Sequence, residues 1–210
     1  MPEPSGLAAF AGEVCPGIFR FTMHDDRIDF ESDSYIVVEN GRVILLDPLP
    51  IEDRELTRRG TVEAICLTAS CHERSAWRYR AELKVPVYAP RGGVDFEEPP
   101  DRWYQAGDRL PCGLLAVHAP GPTEAHYAFH LARESGVVFC ADLLTNAEGT
   151  GLSFVPDVYQ DEPARTRESV RRLLDLRFEI LCSNHGEPVI GGAKEAIARA
   201  LARDQTRPPS

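Results

Sequence analysis

The chain has 210 residues, which suits one ordinary domain and is long enough to bury a single hydrophobic core. Its formal net charge of −10 provides no basic surface for a phosphate backbone or an anionic membrane, so a small molecule or another protein is the expected partner. The first residues have neither the basic start nor the long apolar stretch of a secretion signal. We therefore expect a soluble, cytoplasmic protein that binds neither nucleic acid nor membrane.

The first half of the chain alternates strand-like and helix-like segments. After a loop-like start, β-branched runs on both sides of Asn40-Gly41 predict a hairpin, because this dipeptide tolerates the positive φ angles of a tight turn. A continuously apolar run predicts a buried strand, and the charged, periodic segment after it predicts a helix. The predicted segments are an exposed or edge strand at 18–30, hairpin strands at 34–39 and 42–47, a strand at 62–68, a helix at 73–83, a strand at 84–90 and a long surface connection at 91–113.

The second half repeats this plan. It contains predicted strands at 113–120, 126–132, 136–142 and 178–186, and predicted helices at 163–178 and 191–204. A parallel sheet cannot contain two-residue hairpins, and hairpin-connected strands dominate each half. We therefore predict two mixed β-sheets packed face to face with helices outside, a four-layer αββα sandwich of the α+β or α/β class, forming a single domain over residues 1–210.

Polar segments follow several of these strands. They are LTASCHER at 67–74, APGPT at 119–123, FCAD at 139–142 and NHG at 184–186. In order, spacing and placement they resemble four motifs of the metallo-β-lactamase superfamily, namely Thr-His-x-His-x-Asp-His, Pro-Gly-His-Thr, Gly-Asp and the last His-Gly. With the opening hairpin, the resemblance covers about residues 13 to 203. It implies the αββα fold and a site at the mouth between the two sheets.

In that family, histidines and carboxylates hold one or two metal ions, usually zinc, which activate a bound water. Carried over residue by residue, the first metal site would consist of Ala69, Cys71 and Pro122. Ala69 and Pro122 have no donor atom, so this site cannot form as the family builds it.

The second metal site would consist of Glu73, Arg74, Asp142 and His185. Arg74 cannot bind a metal because its guanidinium stays protonated, although it could form a bidentate pair with Asp142. His72 could replace a ligand if the loop is remodelled. The resemblance therefore implies a lost dinuclear centre, with at most one zinc or other divalent ion, and a metal-free site is equally compatible.

Each of these residues also has an ordinary structural interpretation. Asp142 could cap a loop, and His185 could be a loop histidine bonded to backbone. Glu73 could be a first-turn acid stabilised by the helix dipole, and Asp47, which resembles an aspartate that braces the metal loop, could be a turn acid. Cys71 could be a zinc ligand, a reactive thiol or a small buried side chain.

Three functions remain open. The first is a hydrolase of a small ester, thioester, lactone or amide, with one ion held by Asp142, His185 and either Glu73 or His72. The second is a non-catalytic protein that binds an anionic ligand around Arg74 in the former active-site cleft. The third is an enzyme that uses Cys71 with His72, although adjacent residues rarely point at one another. A homodimer is compatible with each of them.

Overall fold

The computed structural model describes residues 3–147, 149 and 151–206. The chain divides into two compact units, Met1–Ala116 and Val117–Ser210. Among the described residues, no helix combines the length and the apolar character that are needed to cross a bilayer. Each unit has its own hydrophobic cluster and its own helices.

The first unit is built on a seven-stranded mixed sheet with the strands in chain order. Its strands are β1 (Ala9–Cys15), β2 (Ile18–Asp25), β3 (Phe30–Glu39), β4 (Arg42–Leu46), β5 (Thr61–Cys66), β6 (Val87–Pro90) and β7 (Arg102–Tyr104). Strands β1 to β4 pair antiparallel, and β4 to β7 pair parallel. The predicted hairpin between β3 and β4 is confirmed, with φ of 52° at Asn40 and 76° at Gly41.

Two helices and a short 3-10 turn connect the parallel strands. The helices are α1 (Asp53–Thr57) and α2 (Ala76–Leu83), and the turn spans Ser70–His72. Trp77 and Tyr79 of α2 are buried in the hydrophobic cluster of this unit. The segment between β5 and α2 therefore starts at the end of a buried strand and ends on a packed helix, so both of its ends are fixed.

The second unit is built on a five-stranded mixed sheet in the order β14-β13-β10-β9-β8, with a small two-stranded sheet of β11 and β12. The strands are β8 (Leu115–His118), β9 (Tyr127–Leu131), β10 (Val137–Ala141), β11 (Leu144–Thr145), β12 (Ser153–Phe154), β13 (Ile180–Ser183) and β14 (Val189–Ile190). The helices are α3 (Pro163–Leu173) and α4 (Ala193–Gln205). Strand β10 is apolar and buried along its whole length, and it pairs antiparallel with β9 and parallel with β13.

Most predicted elements are confirmed, and three predictions are wrong in part. The start of the chain is not only loop, because it contains β1. The predicted strand at 18–30 ends at Asp25, and a turn with φ of 53° at Asp29 leads into β3, which begins at Phe30. The connection at 91–113 contains β7, which is held by parallel pairing with β6. The organisation as a single domain stays a prediction.

Candidate functional site

Asp142 and His185, predicted from their motifs, lie together at one edge of the second unit's sheet. Asp142 directly follows β10, and His185 is the second residue after β13. Because β10 and β13 are parallel neighbours, their carboxyl ends meet at the same edge. His185 Nε2 lies 3.2 Å from Asp142 Oδ1, and the two side chains are 12% and 21% exposed. The pair is thus partly sheltered and still accessible from solvent.

The backbone of His185 is held firmly. Its carbonyl oxygen accepts hydrogen bonds from Thr145 Oγ1 (2.9 Å), the Asn146 N–H (2.9 Å) and Ser183 Oγ (3.2 Å). Gly186 follows with φ of 109°, and a Cβ there would lie 2.3 Å from the Asn146 carbonyl oxygen. Glycine is therefore required at this position, and the loop presents the imidazole from a fixed backbone.

The backbone of Asp142 is held by a buried histidine, His126, which lies outside the four motifs. The Asp142 N–H donates to His126 Nε2 at 3.3 Å, and His126 Nδ1 lies 2.9 Å from the Ala119 carbonyl oxygen. His126 is fully buried. His126 directly precedes β9, and no local signal in the sequence predicts these backbone partners.

The turn that carries Pro122 is attached to the start of α3. Ser169 Oγ donates to the Pro120 carbonyl oxygen (2.7 Å), and the Glu162 N–H donates to the Gly121 carbonyl oxygen (2.9 Å). Gly121 has φ of 137°, and a Cβ there would lie 2.2 Å from Thr166 Oγ1. The turn is therefore rigid, and the residue at the family's histidine position within it has no donor atom.

In the first unit, His72 is oriented by a buried hydroxyl and carboxylate. Thr68 Oγ1 lies 2.6 Å from Asp47 Oδ2 and 2.7 Å from His72 Nδ1. An ionised carboxylate only accepts, so the hydroxyl donates to Asp47 and accepts the Nδ1 proton of His72. His72 Nδ1 therefore carries a proton, so that in the neutral ring the lone pair is on Nε2, which is the form that binds metals. Asp47 therefore braces this loop, as its resemblance to the family's aspartate implied.

Glu73 and Arg74 both point into the first unit and have partners there. Glu73 Oε2 accepts hydrogen bonds from the Trp77 indole and from the Glu97 N–H (2.7 Å). Arg74 Nη1 donates to the carbonyl oxygens of Asp33 (2.6 Å) and Asp47 (2.9 Å). These contacts favour structural roles for both residues. The metal-ligand role of Glu73, and the pairing of Arg74 with Asp142, stay predictions.

Cys71 is exposed, so its interpretation as a small buried side chain is wrong, whereas Cys66 and Cys140 are fully buried. Its Sγ and a ring nitrogen of His72 lie within 4.8 Å of each other. Burial, together with the nearby charge of Asp142, raises the pKa of the Cys140 thiol to about 12. Of these three thiols, only Cys71 can therefore be considered as a ligand or nucleophile, and both roles stay predictions.

Two potential ligands of a single divalent ion lie together in the second unit, whereas two of the three positions of the family's first site have no ligand atom. Zinc bonds of about 2.1 Å at a tetrahedral angle place two ligand atoms about 3.4 Å apart. The Asp142 and His185 donor atoms are 3.2 Å apart, and a carboxylate oxygen and an imidazole nitrogen are ligands that zinc accepts. Ala69 and Pro122 contribute no ligand atom, and the loss of the dinuclear site stays a prediction.

A family model described as the metallo-beta-lactamase superfamily matches residues 14–187. One relative, an ATP-dependent zinc metalloprotease FtsH from Pirellula staleyi, is 29% identical over 119 residues, which is 55% of this chain. The chain spans only 17% of the length of that relative.

Solved structures share the fold over nearly the whole chain. A metallo-beta-lactamase from Erythrobacter litoralis has a TM-score of 0.74 at 15% identity, with 96% of this chain and 98% of that chain covered. FIM-1 from Pseudomonas aeruginosa, in its mono-zinc form, has a TM-score of 0.72 at 15% identity, with the same coverage. A metallo-beta-lactamase family protein from Thermus thermophilus has a TM-score of 0.69 at 17% identity, with 92% and 81% covered. The predicted αββα sandwich of two mixed sheets is confirmed.

Proposed function

Because the chain belongs to the metallo-β-lactamase superfamily, we propose that it is a hydrolase of a small ester, thioester, lactone or amide, in which Asp142 and His185 hold at most one divalent ion. The observation that carries the proposal is the 3.2 Å separation between the Asp142 and His185 donor atoms at the ends of two adjacent parallel strands. FIM-1, which has the same fold, was crystallised with one zinc ion, and this supports a mononuclear site on such a scaffold.

Zinc at such a site lowers the pKa of a bound water and supplies a nucleophile at neutral pH. The chain itself contributes a preformed pair of donors. The three hydrogen bonds to its carbonyl oxygen fix the His185 backbone, and Asp142 directly follows β10, so both donors stand on ordered backbone. His185 and Asp142 keep 12% and 21% of their side-chain area exposed, although Asp142 Oδ1 itself is buried.

A small substrate is also consistent with the charge of the chain. The net charge of −10 repels a phosphate backbone, so the proposal does not extend to a nuclease. The contacts of Arg74 with two carbonyl oxygens give no particular support to the alternative of an anion-binding protein, which stays a prediction. The further ligands His72 and Glu73 also stay predictions.

The proposal is tested by metal binding and by turnover in the same preparations. Wild-type protein, Asp142→Asn and His185→Ala are purified without chelator, analysed for metal, titrated with zinc, and assayed with zinc or manganese on a panel of esters, thioesters, lactones and amides. We expect one bound ion in the wild type, a loss of zinc affinity of at least about tenfold in each variant, and no turnover with Asp142→Asn.

Asp175→Asn is the matched control, because it makes the same chemical change at an exposed position after α3. It should bind zinc and turn over substrate as the wild type does. Two tightly held zinc ions per chain would contradict the mononuclear site. Metal-loaded protein that hydrolyses nothing in the panel, or Asp142→Asn with unchanged turnover, would contradict the hydrolase.

A further inference from the structure

The geometry points to His126 as a positioning residue, which fixes the backbone of Asp142 so that its carboxylate stays beside His185. This inference rests on the proposed function, because it assigns a role toward the ion that Asp142 and His185 would hold. His126 itself is fully buried, and its ring nitrogens contact the backbone of two separate segments. Sequence motifs do not mark it as a member of the site.

The two contacts define one tautomer of the His126 ring. The Asp142 N–H is a donor, so His126 Nε2 at 3.3 Å must carry the lone pair. The Ala119 carbonyl oxygen is an acceptor, so Nδ1 at 2.9 Å must carry the proton. The ring is therefore neutral, with Nδ1 protonated, and it connects the end of β10 to the segment after β8. The Ala119 N–H also donates to the His126 carbonyl oxygen at 2.9 Å, so two hydrogen bonds join these two residues.

The backbone beside Asp142 needs such a support. Ala141 has φ of 47°, in the left-handed region that costs free energy for an alanine. A residue in that conformation persists only when its surroundings hold it, and the hydrogen bond from the Asp142 N–H to His126 lies directly after it. Without an acceptor at Nε2, the chain at Ala141 can relax and carry the carboxylate away from His185.

Two substitutions test the contributions of the two ring nitrogens of His126 separately. His126→Asn places an amide near the position of Nδ1, so it can still donate to Ala119 but offers Asp142 no acceptor. His126→Gln reaches the position of Nε2, so its oxygen can still accept from the Asp142 N–H. Each variant loses one of the two hydrogen bonds, so their stabilities, measured by urea denaturation, should fall by similar amounts. A difference between them in zinc affinity is then not explained by stability.

We expect zinc affinity, measured by competition with a chromophoric chelator, to fall at least about tenfold in His126→Asn and to stay within about threefold of the wild type in His126→Gln. In metal-free protein, NMR should show the Nδ1-protonated ring of His126, together with slow hydrogen exchange at the Asp142 amide that becomes fast in His126→Asn only. Equal zinc affinities in the two variants would overturn the inference.

These measurements give different results if the positioning role of His126 is wrong and if the proposed function is wrong. If the wild type binds no zinc, the proposed function fails, and the metal-free measurements decide the positioning role by themselves. An Nε2-protonated ring, or an Asp142 amide that exchanges equally in both variants, would overturn it. If the wild type binds zinc and both variants bind as well as it does, the proposed function stands and the positioning role is wrong.

Discussion

Asp47 and Thr68 are joined by two hydrogen bonds, one to each oxygen of the buried carboxylate. The Thr68 N–H donates to Oδ1 at 2.8 Å and the Thr68 hydroxyl to Oδ2 at 2.6 Å. The same hydroxyl lies 2.7 Å from His72 Nδ1, which is itself 3.4 Å from Asp47 Oδ2. The orientation of His72 therefore depends on Thr68 as much as on Asp47.

Removing this hydroxyl should cost stability. Thr68→Val keeps the volume but leaves Asp47 Oδ2 and His72 Nδ1 without their shared partner in a buried site, and we expect a loss of about 3 kcal/mol in the free energy of unfolding. Thr68→Ser keeps the hydroxyl and loses one methyl group, for an expected loss of about 1 kcal/mol. Urea denaturation measures both, and equal losses would show that the hydroxyl does not link the two side chains.

Arg74, which by resemblance takes the position of a metal-binding histidine in the family motif, is hydrogen-bonded to the carbonyl oxygens of Asp33 and Asp47. Arg74→Met and Arg74→His should both lower the free energy of unfolding by about 3 kcal/mol, because two buried carbonyl oxygens lose a charged donor and an imidazole is too short to replace it. Arg171→Met, at an exposed position of α3, should change it by less than about 0.5 kcal/mol. If urea denaturation finds Arg74→His as stable as the wild type, this structural role is wrong.

The rigid turn at Gly121 gives a third prediction. Gly121→Ala introduces a Cβ 2.2 Å from Thr166 Oγ1 at a φ of 137°, and it should lower the free energy of unfolding by at least about 3 kcal/mol. Gly191→Ala is the control, since Gly191 has φ of 78° and nothing within 4 Å of the added atom. Its cost should be only the backbone strain of about 1 kcal/mol. If the two variants lose similar amounts of unfolding free energy in thermal or urea denaturation, the turn can move away from α3.

The sequence predicts those features of the fold that depend on local chemistry. The turn at Asn40-Gly41 was predictable because two adjacent residues determine its φ angles. Strand β7 was not, because its three residues lie among turn formers and become a strand only by pairing with β6, which is a non-local interaction. A strand that forms only by pairing with its neighbour has no periodic pattern in its own sequence.

Of the contacts in the candidate site, too, only some could be predicted from the sequence. The proximity of Asp142 and His185 follows from two motifs at the ends of adjacent strands, so the sequence could predict it. The partners of Arg74 could not be predicted, because they are carbonyl oxygens, which every residue has, contributed by distant segments. The same holds for His126, whose partners are also backbone groups. Side-chain identity gives no information about such contacts.

The last prediction concerns the pH dependence of stability at Asp25. Burial alone would raise the pKa of this carboxyl, but the hydrogen bonds and charge of Arg27, with a smaller contribution from the charge of Arg74, lower the pKa below its ordinary value. Arg27 Nε and Nη2 lie 2.8 Å and 2.6 Å from the two carboxylate oxygens. Since the pKa is lower in the folded than in the unfolded protein, the ionised group stabilises the fold fully above about pH 5 and loses this effect as the pH falls below about 4.

Asp25→Asn removes this carboxyl, so the difference in the free energy of unfolding between wild type and variant should be largest near neutral pH and should shrink steadily towards about pH 2. Urea denaturation at a series of pH values measures it. Asp175→Asn, which removes an exposed carboxyl, controls for the change in net charge. A difference that stays constant down to the lowest pH would mean that Asp25 is not stabilised in its ionised form, and the bidentate pairing with Arg27 would then be incorrect.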